Sequence, residues 1–156
     1  MNAMKNPPRG LTIVTPEQAD KAGWRLLYNG YAAFYKVPMT DEIADTVWGW
    51  IHDPDHEVEA LVAKEAQGRL VGLAHFRAMA RPLAGTVGAF LDDLFVAPEA
   101  RGSGVADSLM ARLNDIARER QWQVIRWITA ETNYRGRAFY DRIATKTQWL
   151  TYEIRP

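Results

Sequence analysis

Apolar residues recur along the 156-residue chain in two rhythms, one at alternate positions and one at steps of three and four. The clearest helical run is Val105, Leu109, Leu113 and Ile116, flanked by Ala106, Met110 and Ala117, and it predicts a helix over 103–120. Arg118 and Arg120 near its end suit the negative pole of a helix dipole. Residues 86–96 before it and 124–130 after it read as strands, so this stretch forms a βαβ unit, parallel and right-handed. Upstream, 11–14 is a short strand stopped by Thr15-Pro16, and Pro16 opens a helix running to about Tyr35. Thr40 is the expected N-cap of a second helix, with Asp41 and Glu42 in its first turn, ending near His52. Residues 58–64 and 70–79, joined by Gln67-Gly68-Arg69, make a hairpin. Asn133 caps a short helix through about Ile143, and "QWLTYEI" at 148–154 closes the chain as a strand. The order is that of a mixed α/β fold.

Composition narrows the function classes. Lys plus Arg and Asp plus Glu number 19 each, which leaves no electrostatic footprint for nucleic acid or an anionic membrane. Cysteine is absent, which removes disulfides, thiolate metal sites and a covalent thiol intermediate. With only His52, His56 and His75, a histidine-rich metal site is not expected. No stretch approaches a membrane span and the start carries no apolar signal core, so a soluble, cytoplasmic protein is expected. Residues 1–9 read as a loose tail and 10–156 as a single domain.

Two stretches carry chemistry. In "LDDLFVAPEARGSGVADSLMARL", two aspartates interrupt an apolar strand, and Arg-Gly-Ser-Gly runs straight into a helix. Asp is depleted in strands, and glycines at a helix start give up backbone entropy. The exposed amides of a helix start form an anion site, and glycine lets a phosphate approach the backbone. Ser103 offers a hydroxyl and Arg101 a charge. A P-loop is excluded because no Gly-Lys-Ser/Thr triplet occurs, and the dinucleotide fingerprint fails where Asp107 stands. A tight turn that uses glycine for geometry alone stays open as the other reading. By strand alternation Asp92 and Asp93 face opposite sides, one toward a cleft and one toward a packed face.

"VAPEARGSGVA" resembles the signature of the GNAT superfamily of N-acetyltransferases, Arg/Gln-x-x-Gly-x-Gly/Ala, through Arg101, Gly104 and Ala106. "ETNYRGRAFYDRIA" resembles the family's segment of Asn, Ala and Tyr in that order, through Asn133, Ala138 and Tyr140. The Leu-Asp-Asp-Leu-Phe-Val strand is similar to that of diamine and polyamine acetyltransferases. No Asp or Glu occurs between Asp20 and Asp41, however, where those enzymes carry acids to match a polycation.

The resemblance implies a central twisted mixed sheet of about six to seven strands, with flanking helices and a splayed central pair. It implies acetyl-CoA as co-substrate, with pyrophosphate on the turn formed by Arg101, Gly102, Ser103, Gly104, Val105 and Ala106. Pantetheine would lie along Leu94, Phe95 and Val96, with Asn133, Gly136 and Tyr140 completing the site and Gly136 leaving room for it. Tyr140 becomes the acid that protonates the departing sulfur. Asp92 becomes the base, acting directly or through water, and Asp93 is structural. Amines and thiols titrate far enough from neutrality that transfer between them benefits from both groups. Tyr28, Tyr31 and Tyr35 share one helix face, and Tyr35 is the member expected to line the acceptor pocket. The acceptor is a small-molecule or peptide amine, no metal is involved, and a homodimer is expected. A cofactor-binding sensor without catalysis and a nucleotide-binding or interaction module are the alternatives.

Overall fold

The computed structural model describes residues 4–156, so most of the 1–9 tail is seen and residues 1–3 lie outside the described part. The chain divides into two compact units, Lys5–Trp127 and, with Met4, Ile128–Pro156.

The first unit is built on a five-stranded mixed sheet in the order β1-β2-β3-β4-β5. Its strands are β1 (Thr12–Val14), β2 (Glu59–Lys64), β3 (Leu70–Arg81), β4 (Thr86–Val96) and β5 (Ile125–Arg126). Neighbours from β1 to β4 pair antiparallel, and β5 joins β4 in parallel. Helix α1 (Lys21–Phe34) follows a short 3-10 turn, and α2 (Asp41–His52) begins at Thr40, whose hydroxyl accepts the Ile43 N–H at 3.2 Å. Helix α3 (Val105–Glu119) is the crossover between β4 and β5.

The sheet is covered on two faces. Trp24 and Leu27 of α1, with Ala44, Val47 and Trp48 of α2, bury Val62, Leu73 and Phe95 of the sheet. Gly72, the neighbour of Leu73, faces the other way, where a Cβ would meet Val105 of α3 at 2.9 Å. Leu109 and Leu113 of α3 are fully buried there.

The second unit contains α4 (Tyr134–Ile143). Its cap is as the sequence predicts, with the Asn133 side chain accepting the Gly136 N–H at 3.1 Å.

The strand count is lower than the six to seven expected. β5 is two residues long rather than 124–130, and 148–154 forms no strand. Trp149, Leu150, Tyr152 and Ile154 are exposed. Alternation shows that a segment has an apolar face; a strand also needs a partner edge, which these residues do not find among the described residues.

Candidate active site

The paired aspartates sit at an irregularity in the ladder. Leu91 pairs with Phe76 and Asp93 with His75, leaving Asp92 as one extra residue on β4. This is a β-bulge, and it overturns the expectation that neighbouring aspartates face opposite ways. Asp93 reaches His75 and Asp92 reaches Arg77, and those two positions on β3 lie on one face. Both carboxylates therefore belong to one cluster.

Asp93 anchors its buried end. His75 is 1% exposed, and its Nδ1 lies 2.7 Å from an Asp93 oxygen. The Trp24 indole, a donor only, gives its N–H to His75 Nε2 at 2.8 Å. His75 thus accepts at Nε2 and donates from Nδ1, the tautomer its two partners require. The Tyr28 hydroxyl also bonds Asp93. Burial first, then the Asp93 carboxylate, push the Tyr28 phenol well above its usual range, so it remains a donor. Asp93 is structural in the sense the sequence suggested, and its partners come from α1 and β3.

Asp92 lies at the wetter end. Arg77 Nε lies 3.3 and 3.1 Å from its two oxygens. Burial raises the Asp92 pKa, the Arg77 charge pulls against it, and the Asp93 charge adds to the rise. A carboxyl raised from its ordinary value is better suited to taking a proton.

Downstream, β4 has an open edge. β5 pairs with it only at Ala89 and Phe90, so from Leu91 onward that side has no strand partner among the described residues. Ala89 gives its N–H toward Val124, whereas Ala97 gives its N–H to Val71 on the opposite side. Between them the bulge shifts the phase by one, so Leu94 and the N–H of Val96 present backbone to the open edge. Phe95, by contrast, pairs with Leu73 and buries its ring. Of the three residues expected along pantetheine, Phe95 supports the strand from behind.

The glycine turn follows at once. Gly102 and Gly104 take φ of 81° and 103°, which side chains with a Cβ rarely adopt. The amides that open α3 have no carbonyl one turn back, leaving them for an anion. Several neighbours are already engaged. Arg101 Nε donates to the Val96 carbonyl at 3.0 Å with its guanidinium over Phe95, and the Ser103 hydroxyl donates to Ala100 at 2.7 Å. Val105 packs inward, close to Gly72. Lys5 N–H donates to Asp107 at 2.8 Å, and Lys5 Nζ to the Gly102 carbonyl at 3.2 Å. A Cβ on Gly104 would lie 2.8 Å from the Asn6 carbonyl, so glycine is required there by the chain itself, whatever else it binds.

In the second unit, Tyr140 lies two turns after Asn133 on α4, half-buried, with its ring beside Phe139. The space at Gly136 has another use than the one expected: a Cβ there would run into the Asn133 side chain, so the glycine makes room for the cap. Of the tyrosine stripe, Tyr28 belongs to the Asp93 cluster and Tyr31 packs on Phe95. Tyr35 is 36% exposed and stacks edge-on against Tyr31 and Phe34. Trp48 is core, and Trp50 is exposed beside His56.

An antiparallel meander, a parallel strand that parts from it after two residues, a bulge at the parting and a glycine turn beyond it make a recognisable arrangement. The model of the acetyltransferase (GNAT) family matches residues 24–144. The chain belongs to this family.

This GNAT acetyltransferase is 27% identical over 144 residues to the D-amino-acid N-acetyltransferase HPA3 of Saccharomyces cerevisiae, covering 92% of this chain and 89% of that one. It is similar to the ribosomal-protein-alanine N-acetyltransferase of Brucella melitensis biovar Abortus 2308, with 28% identity and a TM-score of 0.80. That match covers 93% of this chain and 99% of the other. AAC(6')-Iy, solved with a CoA-containing bisubstrate analogue, shares the fold at 17% identity, a TM-score of 0.80 and coverage of 94% and 98%. The protein is an N-acetyltransferase, of a family that uses acetyl-CoA. A specific closeness to diamine or polyamine acetyltransferases does not emerge from these relatives. No helix among the described residues is long and apolar enough to cross a membrane.

Proposed function

We propose that the chain transfers an acetyl group from acetyl-CoA to a primary amine by direct attack. The observation that carries this reading is the open β4 edge at Leu94 and Val96, leading into the glycine turn with a partly buried carboxylate at its start. Those residues fit the donor: backbone groups suit an extended amide-bearing arm, and the amides opening α3 suit a pyrophosphate. The thioester supplies an activated acetyl carbon.

Asp92 takes a proton from the acceptor's ammonium and exposes the nitrogen lone pair. As the new carbon–nitrogen bond replaces the carbon–sulfur bond, Tyr140 gives its proton to the sulfur, and the second proton shed by the nitrogen passes to solvent as the phenol regains one. The motif around Tyr140 supports that role, and Tyr35 remains a candidate for the acceptor pocket. Cysteine being absent, a thiol acyl-enzyme has no residue to form on.

The test is incubation of the purified chain with acetyl-CoA and a panel of amines that includes amino acids, an aminoglycoside, polyamines and peptides. An acetyl mass shift on the amine with stoichiometric free thiol is expected. Binding of acetyl-CoA without transfer to any amine would favour a sensor.

A further inference from the structure

The Asp92 cluster contains a cation that the reaction described above does not use. Arg77 pairs with Phe90 across β3 and β4, and its guanidinium sits over the Phe90 ring, 5.0 Å from the centroid. Its Nε is bound to Asp92, but its two terminal amino groups make no hydrogen bond among the described residues. The side chain is 34% exposed. A planar guanidinium held from below by an aromatic face and along one edge by Asp92 has little freedom to turn. Its remaining donors form a fork of the kind that receives a carboxylate through two parallel bonds.

We infer that the acceptor is a zwitterion bearing a carboxylate next to the amine, as an α-amino acid does, and that Arg77 reads that carboxylate while Asp92 receives the ammonium. This rests on the acetyl-transfer reading and on Asp92 as its base. The charges decide against the simpler acceptors. A monoamine or polyamine brought to Asp92 places its cation beside Arg77, where like charges repel and nothing on the ligand answers the guanidinium. A zwitterion sets opposite charges one carbon apart against an adjacent Asp and Arg, so each end meets its complement. The missing acids between Asp20 and Asp41 agree with this, since nothing there compensates a second ligand cation. Arg77 is a specificity residue here; proton removal remains with Asp92.

The experiment compares amino acids of both hands with their primary amides and the corresponding decarboxylated amines, at saturating acetyl-CoA, by initial rates of thiol release. Wild-type enzyme should prefer the acid over the amide in kcat/KM. Arg77→Gln should lower that acid-to-amide ratio about ten- to a hundredfold, mainly through KM for the acid, as loss of a charge-assisted bidentate contact implies. Taking the ratio within each enzyme cancels any effect of the substitution on Asp92 itself. Arg77→Lys keeps the charge and loses the fork, and should fall in between; it also serves if Arg77→Gln folds poorly. A wild type that acetylates amides and simple amines as well as acids overturns the inference, as does an unchanged ratio in Arg77→Gln, and Arg77 then only neutralises Asp92. If wild type acetylates no amine, the acetyl-transfer reading itself fails, a result distinct from loss of preference.

Discussion

Replacing Asp93 by Asn removes a charge from the buried end of the cluster and keeps the shape of the side chain. Asp93 receives the Nδ1 proton of His75 at 2.7 Å and the hydroxyl of Tyr28. Asn offers one oxygen and one amino group, so it satisfies one donor and sets donor against donor at the other until Tyr28 turns its hydroxyl. A hydrogen bond to an ionised acceptor contributes about 1.5–3 kcal/mol, and a neutral one about half that. With one bond weakened and one lost or reversed, the net cost is about 2–3 kcal/mol. At this chain length each kcal/mol lowers Tm by about 2–4 °C, giving a drop of about 4–12 °C by calorimetry near neutral pH. Asp92→Asn supplies the scale, because a partly exposed ion pair contributes about 0–1 kcal/mol. Tyr28→Phe should cost less in the Asp93→Asn background than in wild type, since its acceptor has already changed. An Asp93→Asn protein that melts no lower than Asp92→Asn would show that the Trp24–His75–Asp93 chain does not hold α1 to the sheet.

Tyr140→Phe keeps the ring and should lower kcat about a hundredfold or more, with acetyl-CoA binding retained by calorimetric titration; unchanged turnover would return Tyr140 to packing. Gly104→Ala and Gly102→Ala each force a side chain into a left-handed conformation, a cost of about 1–2 kcal/mol. Gly104→Ala should melt lower of the two because its Cβ also meets the Asn6 carbonyl, while nothing lies within 4 Å of a Cβ on Gly102. The reverse order would remove the contact as the cause. For Asp92, burial raises the pKa, so the acid limb of the rate profile should lie at a higher pH than an ordinary Asp would give. Asp92→Asn should lose that limb and most activity near neutrality, recovering in part at high pH as free amine forms unaided. Persistence of the same limb in Asp92→Asn would place the base elsewhere.

Much of this was legible in the sequence because it is local. The period of α3, the Thr40 and Asn133 caps, the hairpin and the glycine turn each depend on residues within a few positions, and each forms as read. What was not legible depends on partners distant in sequence. Whether 148–154 becomes a strand depends on an available edge, and alternation alone does not reveal one. Tyr28 looked like core or pocket until Asp93, sixty-odd residues away, gave its hydroxyl a partner. The atoms that a Cβ would meet at Gly104 and Gly136 are the Asn6 carbonyl and the Asn133 side chain, neither of which the local sequence pattern reveals. Arg77 carried no signal of its own, because a half-exposed arginine within a strand is commonplace until its neighbours are known.

The bulge is the largest case. A strict period of two makes Asp92 and Asp93 a divided pair, one for chemistry and one for packing. One unmatched residue in register brings both to the same face and changes what each is worth. Asp93 stays within the ladder, and two buried donors offset the cost of an acid in a strand. Asp92 occupies the position opposite no residue of β3, where an acid disturbs no cross-strand pair and stays open on one side to solvent or ligand. The same shift of phase turns the backbone of Leu94 and Val96 toward the edge that β5 leaves open. Carboxylate and open backbone thus arise from a single insertion, so deleting one residue at the bulge should damage both at once, whereas substituting Asp92 touches only the first.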